Sequence, residues 1–176
     1  IHFISWFTGV TADLGPYSPG ANDNASAVGS LLALGQRLQA APLAQTEIWL
    51  VFTGCEESGG DGMLQLLAEY GAELQDALFI DLELVGIGDR LVYLETEGML
   101  RHRNITPDVQ SLVQQAAQRF AGRAVPDGAT AAELESAGHG PQVKPLRGSL
   151  RGAYTEMNIA WEHGFQGVCL MVLSST

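Results

Sequence analysis

Three short apolar runs constrain this chain most: Thr46 to Thr53 (TEIWLVFT), Ala77 to Leu84 (ALFIDLEL) and Gly167 to Leu173 (GVCLMVL). Each is strand-sized and rich in the β-branched and aromatic residues that fit a pleated surface. Between them lie segments with helical spacing. From Ala25 to Ala40, Val28, Leu31, Leu32 and Leu38 fall on one stripe, and a second helix is expected from about Gly62 to Leu74. Pro107 opens a third helix through Phe120, with Val109, Leu112, Val113 and Ala116 on one face. A further strand is predicted over Arg90 to Glu95, with Gly86 and Gly88 making the turn before it, and residues 1–7 read as a buried strand end. Residues 122–153 show weak periodicity and read as loop or irregular structure. Strands alternating with helices predict an α/β sandwich with a largely parallel sheet.

Size and charge narrow the function. The 176 residues fit one domain, 1–176, and with 46% hydrophobic and 16% charged residues the chain can bury a core. Twenty Asp plus Glu against nine Lys plus Arg give a net charge of −11. That field repels a phosphate backbone, so nucleic-acid binding is excluded first. No apolar run reaches the roughly 18 to 20 residues of a membrane-spanning helix. Cys55 and Cys169 form no CxxC or Cys/His cluster, so neither a disulfide scaffold nor a thiolate zinc site is indicated. The compartment is not legible in these features. The chain opens inside an apolar stretch (Ile1, Phe3, Ile4, Trp6, Phe7) and stops just after another, so it reads as a piece of a longer one.

Several acids occupy addresses where ligands bind in open α/β sheets, at the carboxyl ends of strands. Glu56 and Glu57 follow the apolar run WLVFTGC and precede Ser-Gly-Gly, so two neighbouring carboxylates emerge together and can point different ways. One can ligate a metal while the other acts as a general base toward water. Asp81 lies inside an apolar strand, where a carboxylate is costly unless paired or coordinated; capping a nearby turn is its plainer reading. Asp23, in SPGANDNASA, has a plain alternative as a helix cap.

Together these segments resemble peptidase family M28, zinc-dependent peptidases that are mostly aminopeptidases with two cocatalytic zinc ions. Pro19 to Ala27 (PGANDNASA) is similar to the family segment whose Asp bridges the metals, and Phe52 to Gly59 (FTGCEESG) is similar to its Glu-Glu motif. Asp81, in Phe79-Ile80-Asp81, falls where the next carboxylate ligand is placed, and the spacings of 33 residues (23 to 56) and 24 residues (57 to 81) agree. Ile1 to Ser5 resembles an AHxDS motif in which His2 keeps the ligand position and Ile4 replaces the Asp. The resemblance implies a three-layer sandwich of the zinc-peptidase (phosphorylase/hydrolase-like) type, with Glu56 as general base and His2, Asp23, Glu57 and Asp81 as zinc ligands. It also implies a peptide or aminoacyl substrate.

Two departures qualify that reading. Ile4 removes a carboxylate that supports neighbouring ligands, a loss that typically costs 10- to 100-fold in metal affinity or activity. Thr155-Glu156-Met157 stands where the family usually has Ser/Thr-Asp-His, so the last histidine ligand is missing and the second zinc site is expected to be weak or empty. Glu156, beside the lost ligand, and His163, in the same predicted loop, are candidate replacements. His139 has no evident partner, and His102 lies among arginines as a surface charge. The leading expectation is a zinc exopeptidase. The alternatives are a catalytically inactive M28-like binding module and a single-zinc relative resembling the glutaminyl cyclases. The family's domain is usually longer at both ends, so sheet surface is expected to be covered by further segments or by another copy in a homo-oligomer.

Overall fold

A computed structural model describes residues 18–98, 101–120, 144–146 and 154–174. A kinked turn over Ala21–Ala25, non-helical at Asp23 and Asn24, leads into helix α1, Ser26–Ala40. Helix α2 spans Asp61–Tyr70 and is followed by strands β1 (Leu78–Glu83) and β2 (Arg90–Leu94). Two short strands, β3 (Thr96–Glu97) and β4 (Arg103–Asn104), pair antiparallel ahead of helix α3, Pro107–Phe120. Strand β5 (Lys144–Leu146), helix α4 (Glu156–Glu162) and strand β6 (Gln166–Leu173) complete the described elements.

The main sheet has the order β1-β6-β2-β5. β1 runs parallel to β6, β6 antiparallel to β2, and β2 parallel to β5, so the sheet is mixed and the chain is broadly α/β. The buried core lies where α2, α3 and α4 meet this sheet and contains Met63, Leu67, Val92, Leu94, Val109, Ile159, Trp161 and Val168. Trp161 fixes the return from α4, since its indole N–H donates to the Gly167 carbonyl at 3.2 Å. Among the described residues no helix is long and apolar enough to cross a membrane.

The strands predicted around Ala77, Arg90 and Gly167 and the helix opened by Pro107 are all present. Other expectations are corrected. Thr46 to Thr53 joins no strand ladder among the described residues; it crosses α1 at Gly35, where Leu50 Cδ1 lies 2.8 Å from the position of a Cβ, and Trp49 stacks edge-on against Tyr70 of α2 at 5.5 Å. Held by side chains at two helices, its backbone stands away from the edge of β1. The apolar stripe of α1 stays largely uncovered, with Val28 44% and Leu32 57% exposed and only Ala27 buried. Residues 156–162, expected as loop, form α4 because Thr155 accepts from Met157 N at 3.1 Å and starts the helix. Strand β5 lies inside the segment read as loop, its place set by pairing with β2.

Candidate functional site

The segment 46–58 and the edge of β1 enclose a cleft of about 1930 Å³, into which the candidate acids converge. Asp23, Glu56, Glu57 and Asp81 all line it, and so do Glu83 and Glu156. No Lys, Arg or His is among the described lining residues.

Each acid reaches the cleft for a local reason. Asp23 sits at the kink of the 21–25 turn, which is laced to the end of β1 by Asn24: the Asn24 Nδ2 donates to the Leu82 carbonyl at 2.8 Å and its Oδ1 accepts from Leu84 N at 3.3 Å. Asn22 Oδ1 adds a bond from Gly86 N at 3.0 Å. Asp23 makes no side-chain cap, so the capping alternative is not realised. Its peptide bond to Asn24 is cis.

Glu56 and Glu57 ride on a tight turn. Cys55 has φ 63, and Gly60 N donates to the Cys55 carbonyl at 2.8 Å. The turn separates the pair: Glu56 is half-buried and Glu57 exposed. Gly60, at φ 72, closes the turn in a backbone conformation that favours glycine, and a Cβ there would push against Ile159 Cδ1 of α4.

Asp81 lies in β1 opposite Cys169 of β6, and its Oδ2 accepts from Met157 N at 3.3 Å. Burial raises its pKa, while bonds from Thr155, Met157, Cys169 and Leu82 oppose that rise. Glu83, two residues on and therefore on the same face, is 8% exposed. Its pKa is pushed up to about 8 by burial, then by the charges of Asp81, Glu56, Asp23 and Glu156. Glu56 is pushed up to about 7 by burial first, then by Glu57, Glu156, Asp23 and Asp81. Burial also raises Glu156, and its bond from Thr53 lowers it. These shifts express one condition: several carboxylates share a poorly hydrated space without a compensating cation.

That donor set fits a divalent cation in its chemistry, since it offers carboxylate oxygens and lacks positive charge. Among the described residues no three of His, Cys, Asp and Glu stand together closely enough to hold a metal ion. His2, Ile4 and His139 lie outside the described residues. His102 is exposed, and His163 ends α4 with its Nδ1 2.9 Å from the Ile159 carbonyl, apart from the cleft lining.

The sequence assigned no role at the site to Glu83, Glu97, Thr53, Asn24 or Thr155. For Glu83 the signal was present, because the alternation of a strand places it on the face of Asp81. Glu97, in contrast, is 0% exposed and meets Thr155 only through the pairing of distant segments.

A family model described as peptidase family M28 matches residues 2–137. No curated protein matches the chain. No solved structure matches it either.

Proposed function

Because the chain belongs to peptidase family M28, we propose that it is a zinc-dependent exopeptidase that removes N-terminal residues from peptides, with Glu56 as the general base. The observation that carries this is the position of Glu56, half-buried at the turn that leads into α2 and lining one cleft with Asp23, Asp81 and Glu156, with its pKa raised to about 7. A base with that pKa accepts and returns a proton at neutral pH.

In this reading Glu56 takes the proton of the attacking water and delivers it to the leaving amine. His2, Asp23, Glu57 and Asp81 would hold zinc. When bound, zinc supplies Lewis-acid polarisation of the scissile carbonyl and of water. The substrate's cationic N-terminus is attracted by the surplus of acids at the cleft, and the net charge of −11 adds long-range steering. The architecture that accompanies this reading is a three-layer sandwich with the mixed sheet between helices.

The test is zinc content by elemental analysis together with turnover of a panel of aminoacyl chromogenic amides. The expected result is bound zinc and turnover that falls roughly 10²- to 10⁴-fold in Glu56→Gln, the usual share of a general base. Zinc content should be unchanged in that variant. Folded protein with neither zinc nor turnover would leave the inactive binding module, and one zinc per chain would favour the single-metal relative.

A further inference from the structure

Helix α4 presents two consecutive residues whose side chains part company. Met157 is 0% exposed and packs into the core, its sulfur 2.6 Å from where a Cβ on Gly167 would stand. Both residues border the cleft, but Glu156, one residue earlier and so about 100° around the helix, is the one that brings a carboxylate to it. It is 8% exposed. One of its oxygens, Oε2, accepts from the Thr53 hydroxyl, three residues before Glu56. The other, Oε1, is buried and has no hydrogen-bond partner.

We infer that Glu156 is itself a ligand of the metal centre, supplying from the first turn of α4 the donor that Met157, turned into the core, does not. The inference rests on the metallopeptidase reading above and extends its ligand set. A buried carboxylate oxygen without a partner is costly, and the cost is removed when that oxygen meets a cation or a donor. No donor faces it among the described residues, and the lining contains no Lys, Arg or His. Glu156 lines the same cleft as Asp81 and Glu56, and the charges of the three interact. The Thr53 hydroxyl orients the carboxylate by holding Oε2, leaving Oε1 for the ligand. A fully buried thioether is no competitor, because soft sulfur does not favour zinc among carboxylates.

The experiment compares the full chain with its Glu156→Gln and Asp81→Asn variants. Zinc affinity is measured by competition with a chromophoric chelator, and the visible absorption of the cobalt(II)-loaded protein reports the ligand set independently of activity. Thermal melts of metal-depleted protein check that Glu156→Gln, which keeps the volume and the acceptor for Thr53, folds. The expected result is that Glu156→Gln weakens zinc binding by more than the roughly 10- to 100-fold typical of a residue that only supports a ligand, and changes the cobalt spectrum. Wild-type affinity and spectrum in Glu156→Gln, with both lost in Asp81→Asn, overturns the inference while leaving the metallopeptidase reading intact. A wild-type chain that binds neither zinc nor cobalt overturns both.

Discussion

Glu97 Oε2 accepts from both Thr155 N, at 3.0 Å, and Thr155 Oγ1, at 2.8 Å, so a fully buried carboxylate on β3 holds the residue that starts α4. Thr155 in turn caps Met157 N, whose N–H also reaches Asp81. The position of Asp81 is therefore tied to a glutamate outside the cleft.

This tie is pH-dependent. Burial raises the Glu97 pKa from 4.5 to about 7, against the opposing bonds from Thr155. The folded chain then binds the proton more tightly than the unfolded one. The stability that this group contributes is present in full below pH 4.5 and is lost as pH rises through about 7. At roughly 1.4 kcal/mol per pKa unit, the loss is on the order of 3 to 4 kcal/mol. Glu56 and Glu83 push in the same direction. Urea unfolding of the metal-depleted protein at about pH 5 and about pH 8 should show this decline, and a shallower one in Glu97→Gln. Parallel pH profiles for the two proteins would sink the argument.

Asn24 fastens the Asp23 turn to β1 through both ends of its side-chain amide. In Asn24→Ala, Leu82 O and Leu84 N lose partners in a half-buried place, at a cost of about 1–3 kcal/mol. Activity should fall together with stability, because Asp23 loses its anchor. Unchanged zinc affinity and an unchanged denaturation midpoint would show that the turn is held by other means.

Met157 fills the space between α4 and Gly167. Truncation to alanine should cost about 2–5 kcal/mol, the range for a buried Met replaced by Ala. The variant is expected to keep its zinc affinity in urea-free buffer if it folds, since the sulfur faces the core. A change under about 0.5 kcal/mol, the scale of surface substitutions, would place this side chain outside the core.

Much of the arrangement can be read from residue order alone. Apolar runs of strand length bounded by glycine mark β1, β2 and β6, and Pro107 marks the start of α3, because backbone preference and burial agree at those places. The acids Asp23, Glu56, Glu57 and Asp81 could be named for the same reason: each stands in a motif or in an apolar setting where a carboxylate needs an explanation. Tertiary structure decided what depends on contacts between distant segments. Thr46 to Thr53 has the composition of a strand, yet strand formation requires a partner edge, and here side-chain contacts with α1 and α2 hold it across a cleft from β1. Helix α4 is short, and its start depends on Thr155 being held by Glu97, 58 residues earlier in the chain. That helix turns Met157 inward and leaves Glu156 beside Asp81. No local pattern contains that outcome, because it is set by which face of α4 the core can bury.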